Sequence, residues 1–176
     1  RVQVTWRVLP NERISWEEIA QKMAAQRSIC TIVNMKKHAK KLFDALKLVC
    51  ETESVFYITT ELCPAHRRVV IEQVKKRLRD GLPCRVVATQ CIEAGVDLDF
   101  DSVFRALAPL ESIIQAAGRC NRNGRHPEGG QVLVFLPDED NLYPDNWYNK
   151  AATLVSALHI EKPIDLMNPS DIQRYY

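Results

Sequence analysis

A chain of 176 residues suits one well-filled domain and is short for two. Its 46% hydrophobic and 26% charged residues are ordinary for a globular protein, and no apolar run approaches the length of a membrane span. A formal net charge of +2 permits nucleic-acid binding without predicting it.

Val2 to Val8 alternates apolar and polar residues, as a half-buried strand does, and suits a sheet edge. Ser15-Trp-Glu-Glu18 reads as a capping box opening a helix that runs to about Gln26. Ser28 to Val33 is a short apolar run, expected of a strand covered on both faces. Asn34 then caps a helix from Met35 to about Cys50, with Lys36, Lys37, Lys40 and Lys41 on its wet side.

Val55–Ile58 is the next strand. Pro64 suits the first turn of a helix reaching Asp80. Val70, Ile71, Val74 and Leu78 form its core stripe, Arg67, Arg68, Lys75, Lys76 and Arg79 its basic face, and Gly81 its stop. Cys84–Ala88 is a strand, 89–99 a loop, and Ser102–Leu107 a strand. After Pro109 a helix continues to Arg122, before Asn123-Gly124. Gln131–Leu136 is the last strand, and Asn146–His159 a closing helix. Six cysteines show no zinc spacing, which speaks against a metal site, and read as buried thiols in a reducing cytosol. There is no signal peptide, the first residue is not Met, and 170–176 reads as the start of a helix that is cut off. An excised piece of a longer polypeptide is therefore expected.

Alternating strands and helices predict a three-layer α/β sandwich with a mainly parallel sheet. Ligands in such sheets sit at the carboxyl ends of the strands. Strand 84–88 ends at Thr89 and strand 102–107 feeds the next helix, so both segments are expected on one rim.

On a helix of about 3.6 residues per turn, Gln115, Arg119 and Arg122 share a face. Two guanidiniums there suit phosphate, which arginine grips with paired hydrogen bonds. Gly118 lies beside the first of them. Gly95 allows a tight turn that presents Asp97, whose carboxylate suits a ribose, and Thr89 suits a phosphate. Plain structural roles compete: a solvated face for the arginines, a turn for Asp97, a strand end for Thr89.

These residues also carry a resemblance. Val87-Ala88-Thr89-Gln90-x-x-Glu93-x-Gly95-x-Asp97 resembles motif V of superfamily 2 helicases, and Gln115-x-x-Gly118-Arg119-x-x-Arg122 resembles motif VI. Cys30-Thr-Ile-Val33-Asn34 resembles motif IV. Tyr57-Ile58-Thr59-Thr60-x-Leu62-Cys63-Pro64-x-His66-Arg67 is similar to the following segment in the CRISPR-associated helicase–nucleases of type I systems. Over about residues 28–137 the chain thus resembles the second, C-terminal RecA-like domain of that family.

The resemblance implies that Arg119 and Arg122 reach the γ-phosphate of ATP, that Gln115 orients the attacking water, and that Gly95, Asp97 and Gly118 shape the nucleotide side. Thr89 would touch single-stranded DNA, with Asn34, Thr60 and Arg67 as weaker contacts, while His66 and Cys63 read as packing or capping residues. It further implies a prokaryotic cytoplasmic enzyme with 3′–5′ movement, no membrane partner, and a CRISPR RNA-guided surveillance complex as partner.

The phosphate loop G-x-x-x-x-G-K-[S/T] and the magnesium-binding Asp-Glu-x-His are absent from this sequence. They belong to the family's first RecA-like domain, so Mg2+ would be held there; a His/Asp cluster in an HD nuclease domain would do the cutting. The fragment alone is expected to be inactive. Residues 1–27 are expected as an entry strand and helix of the domain, 28–160 as its body, and 161–176 as a linker. An RNA helicase of the DEAD or DEAH type, or a binding module that retains the fold, are the alternatives; a dinucleotide enzyme is disfavoured because no G-x-G-x-x-G follows a strand.

Overall fold

The computed structural model describes residues 2–92, 97–124 and 128–176. Among these, six strands form one sheet in the order β1-β6-β5-β2-β4-β3, with every pairing parallel. The strands are β1 (Val2–Arg7), β2 (Ser28–Ile32), β3 (Val55–Ile58), β4 (Cys84–Ala88), β5 (Ser102–Ala106) and β6 (Gly130–Phe135). The helices are α1 (Trp16–Ala24), α2 (Lys36–Lys47), α3 (Pro64–Arg79), α4 (Leu110–Ala117), α5 (Asn146–Glu161) and α6 (Pro169–Gln173). All of β2 and β5 is buried, as continuous apolar runs require, whereas β1 alternates at the edge.

Helices cover both faces. Ile19 and Met23 of α1 and Ala39, Leu42 and Leu46 of α2 pack on Ile29, Val87, Phe104 and Phe135. Val74 of α3, Ile113 and Ala116 of α4, and Ala152 and Val155 of α5 pack on Cys30, Val86, Val103 and Val134. Ile164 and Leu166, in the segment expected as a linker, are buried in that second cluster. The sandwich is the three-layer one expected.

Local signals explain several boundaries. Ser15 Oγ accepts from the Glu18 amide (3.1 Å), but the Glu18 carboxylate accepts from Arg7 Nη1 (3.2 Å), so only half of the expected box forms. After α3, the amides of Gly81 and Leu82 bond back to Leu78 and Arg77. With Gly81 at φ +64 this is a Schellman stop, where glycine is favoured. Of the expected α3 stripe only Val74 is fully buried; Val70, Ile71 and Leu78 are half-covered.

Two expectations need correction. Met35, not Asn34, holds the cap position of α2. The six cysteines are unbridged as expected, yet Cys63 is exposed and Cys50 and Cys91 only half-buried.

Candidate nucleotide and nucleic-acid surfaces

The helix expected to reach Arg122 stops at Ala117. Gly118 caps it, and Arg119 and Cys120 close tighter turns onto Ala116 and Ala117. The chain then leaves helical geometry because Phe100 captures its backbone: Phe100 N donates to Arg119 O (3.0 Å) and Asn121 N to Phe100 O (2.9 Å). Asn121 adopts φ 46, a left-handed conformation that asparagine tolerates. A Cβ on Gly130 would stand 2.3 Å from Cys120 Sγ and 2.9 Å from Asn121 Cβ, so glycine is what lets β6 begin beneath this turn. Burial pushes the Cys120 thiol up to about 12, with Asp99 and Asp101 adding to the shift, so it is an inert packing group.

This pairing, not a shared helical face, brings the charged residues together. Asp99 accepts from the amides of Arg122 (2.7 Å) and Asn123 (3.1 Å). Arg122 Nη1 reaches Asp97 Oδ1 at 2.9 Å, and both side chains are open to solvent, 50% and 82% exposed. So exposed an ion pair contributes about 0–1 kcal/mol. A charge-assisted bond to a bound oxyanion contributes about 1.5–3 kcal/mol, enough to recruit the guanidinium. Arg119 is partly buried in the turn and Gln115 is exposed on α4. Gly118 has φ −64 at the helix end, and a Cβ there would make only ordinary contacts, the nearest 3.4 Å away. The fold itself therefore does not demand glycine at 118. Gly95 lies outside the described residues.

The expectation of one shared rim is overturned. Phe100 and Asp101 stand at the amino end of the sheet, where Ile29 pairs Ser102 and Ser102 pairs Gln131. The eight residues of α4 start beyond β5 at the carboxyl end and return to the amino end, a run of about 12 Å. Asp97, Arg119 and Arg122 thus gather at the amino end, and Thr89, Asn34 and Thr60 lie at the carboxyl end. A cleft of about 260 Å³ beside Asp97 is lined also by Lys75, Arg79, Asp99 and Asn123. Larger grooves of about 810 and 730 Å³, between α1 and α2 and along β3 and α3, touch none of the candidate residues.

At the carboxyl rim the expected strand contacts are mostly enclosed. Thr89 is 5% exposed, with its hydroxyl on Cys91 Sγ (3.6 Å). It is a covered strand end in this conformation, not a surface donor. Asn34 is 7% exposed. Its Nδ2 donates to Leu107 O (2.9 Å), and its Oδ1 accepts from Arg105 Nη1 (2.7 Å) and the Tyr148 hydroxyl (3.0 Å). Those bonds make it a structural group. Thr60 is exposed in the turn after β3, and Arg67 is partly buried in the first turn of α3. Cys63 caps α3 by position without a side-chain bond, and His66 is exposed.

Three residues at these surfaces escaped the sequence reading, Arg105, Tyr148 and Asp99, and Gln90 entered it only as a position of the motif V pattern, without a role. Arg105 is fully buried in β5; a charge inside Val103-Phe104-Arg105-Ala106 was the available signal. Asp99 repeats the spacing of Asp97 across Leu98, a pattern that pointed to paired carboxylates. Among the described residues no cluster of His, Cys, Asp and Glu is arranged to hold a metal ion, and no helix is long and apolar enough to cross a membrane.

Comparison with known proteins bears on this geometry. The family model for the C-terminal part of the CRISPR-associated nuclease/helicase Cas3 matches residues 25–125, more than half of the chain. The CRISPR-associated nuclease/helicase Cas3 of Haloferax volcanii is 50% identical over 84 residues, covering 44% of this chain and 9% of the relative. The crystal structure of T. fusca Cas3 with ATP superposes with a TM-score of 0.72 at 19% identity, covering 99% of this chain and 22% of that one. A chain of a CRISPR RNA-guided surveillance complex in a pre-nicking state superposes at 0.66 with 18% identity, covering 92% and 22%. The chain thus spans a small part of these relatives.

Proposed function

Since the chain belongs to the Cas3 family of CRISPR-associated nuclease/helicases, as part of its C-terminal helicase region, we propose that it supplies one half of an ATP-closing clamp. In this reading it is the second RecA-like domain of a superfamily 2 DNA translocase. ATP binds between it and the first RecA-like domain of the same protein, which holds the phosphates and Mg2+. Arg122 and Arg119 meet the γ-phosphate, Gln115 orients the attacking water, and Asp97 accepts from the ribose.

The observation that carries the reading is the placement of Arg122 on Asp97 at the amino edge, by way of the Asp99 clamp on the Arg122 and Asn123 amides. A solvated guanidinium and a ribose-type carboxylate stand side by side on a surface that the fold leaves open. The guanidiniums of Arg119 and Arg122 and the amide of Gln115 are chemistry for an oxyanion, while Asp97 is engaged by Arg122 and Asp99 by two backbone amides, which fits magnesium being held by the other domain. Gly118 adds support: since the fold tolerates a Cβ there, glycine keeps space for a close-lying ligand.

During hydrolysis charge develops on the phosphate oxygens, and a guanidinium that turns from Asp97 to them when the nucleotide binds would stabilise it. Closure on ATP and opening after product release would shift the strand contacts stepwise in the 3′–5′ direction. The carboxyl rim, with Thr60 and Arg67, is the candidate strand surface. Binding through backbone phosphates would permit movement without sequence preference. An HD nuclease domain of the same protein would degrade the strand, and an RNA-guided surveillance complex would recruit the enzyme. Alone, the domain lacks the phosphate loop and would not turn over ATP.

The test is steady-state ATPase of the full-length protein with single-stranded DNA and, separately, RNA. DNA-stimulated turnover that is lost in Arg122→Ala supports the reading. Unchanged turnover in both Arg119→Ala and Arg122→Ala overturns it, and stimulation by RNA alone would favour the RNA-helicase alternative.

A further inference from the structure

The cleft of about 260 Å³ at the amino edge runs between the last turns of α3 and the residues Asp97 and Asn123. Leu78 and Leu98 give it an apolar lining, and Lys75, Arg79 and Asn123 place polar groups around that lining. Its volume falls short of the roughly 300 Å³ at which pockets for drug-sized molecules begin. It suits a flat fragment such as one nucleobase, not a whole nucleoside triphosphate.

Most polar groups beside the cleft are already engaged. Asp97 holds Arg122 at 2.9 Å. Asp99 accepts from the amides of Arg122 and Asn123. Lys75 Nζ stands 2.8 Å from Glu72 Oε1 on its own helix. Two side chains remain. Arg79 is exposed at the end of α3 and makes no ion pair or side-chain hydrogen bond among the described residues. The Asn123 carboxamide is likewise exposed and unengaged, its residue being held through the backbone amide on Asp99.

Arg122 reaches Asp97 but does not line the cleft. The cleft therefore opens on the side of Asp97 away from that guanidinium. In a nucleotide the ribose stands between the phosphates and the base. With the phosphates at Arg122 and the ribose hydroxyls at Asp97, the base falls on the cleft side.

We propose that this cleft seats the adenine of ATP, with the Arg79 guanidinium lying flat on the ring and the Asn123 carboxamide reading its edge. A planar guanidinium stacks on aromatic faces, and lysine has no such plane. A carboxamide offers a donor and an acceptor side by side, which match N7 and the N6 amino group of adenine. Guanine carries a carbonyl oxygen where adenine has that amino group, so the acceptor half of the pair is lost. Arg79 thus contributes affinity for any base, and Asn123 the choice among bases. This assignment rests on the nucleotide-side reading of Arg122 and Asp97 given above. A cation in the last turn of a helix is favoured without any ligand, so base selectivity, not stability, is the quantity to measure.

The experiment is steady-state turnover of the full-length protein with ATP, GTP and purine riboside triphosphate, which lacks the N6 amino group. The variants are Arg79→Ala, Arg79→Lys, Arg122→Ala and Asn123→Ala, the last of which keeps its backbone amide on Asp99. Wild-type KM should be about tenfold lower for ATP than for either analogue. Asn123→Ala should raise KM for ATP about tenfold and leave the three substrates nearly equal, with kcat changed less than about twofold. Arg79→Ala should raise KM for all three about fivefold, and Arg79→Lys should not restore it. Equal KM for ATP and purine riboside triphosphate in the wild type overturns the proposal. So does an Asn123→Ala effect that is the same for all three substrates or that falls on kcat. Turnover lost in Arg122→Ala, with base selectivity unaltered in Asn123→Ala, would sink the base site alone. Wild-type turnover in Arg122→Ala would instead count against the phosphate contact, and the selectivity of Asn123→Ala would still decide the base site.

Discussion

At the amino end of the sheet, Arg122 and Asp97 stand 50% and 82% in solvent. At the carboxyl end, Arg105 is fully enclosed with Asn34 and the Tyr148 hydroxyl as partners. Both places join an arginine to oxygen atoms, yet the energetics differ. The exposed pair is weak and exchangeable, which suits a group that must turn to a ligand. The enclosed cluster is costly to disturb, because any partner it loses leaves a desolvated polar atom. On the proposed function the surface arginine serves the chemistry, and the buried one is framework.

The sharpest way to break that contrast is at the amino end. Arg122→Ala in the full-length enzyme should lower DNA-stimulated ATP turnover by about 10³-fold or more, with the melting temperature unchanged. Comparable loss of stability would mean that the pair with Asp97 is structural. The converse experiment is Arg105→Met, which keeps the volume and removes the donors. It takes a charged donor away from the Asn34 and Tyr148 oxygens, each such bond contributing about 1.5–3 kcal/mol, although the two groups keep their bond to each other. Native-state hydrogen exchange at the β2 and β5 amides should report a loss of about 3 kcal/mol. Unchanged protection would show that the cluster is dispensable.

Asp99 tests whether position alone matters at the amino end. Asp99→Ala frees the Arg122 and Asn123 amides without touching either guanidinium. Displacement of a catalytic group by about 1 Å can cost up to 100-fold, so a fall of roughly tenfold in kcat is expected. The affected amides are exposed, and water replaces the lost acceptor, so stability should change by less than about 1 kcal/mol. Wild-type kcat in Asp99→Ala would detach the clamp from the chemistry.

What the sequence made legible was local. Ser15, Pro64 and Gly81 act on amides within a few residues, and α1 and α3 begin and end close to where those residues indicate. The alternating strands and helices carried the sandwich, since each apolar run needs two covering layers. The end of α4 was not legible, because Phe100 decides it by taking the backbone of Arg119 and Asn121 from across the chain. The shared rim failed for a related reason: the pattern shows that a helix follows β5 but not how far it returns before its arginines appear. Arg105 stood out in the sequence as a misplaced charge, yet its meaning depends on Tyr148, 43 residues away.

A control belonging to neither end completes the comparison. Glu139 lies on the α1–α2 side, where Lys41 Nζ and Trp16 Nε1 (3.1 Å) both donate to its carboxylate. The Lys41 bond and then the Trp16 bond hold its carboxyl at about 2, below the ordinary 4.5. A depressed carboxyl pKa favours the folded state above the unfolded value, and that contribution is lost as the pH falls through the folded value. The window here therefore runs from about 4.5 down to about 2. Lys41 is 54% exposed and Glu139 20%, so screening from the lysine side limits the contribution to about 1 kcal/mol or less. Glu139→Gln should lower stability slightly near neutral pH and flatten the acid limb across that window, while kcat and the DNA dependence of turnover stay at wild-type values. A change in turnover would mean that the α1–α2 side communicates with the nucleotide edge, and the separation of chemistry from framework drawn between the two ends of the sheet would then be too simple.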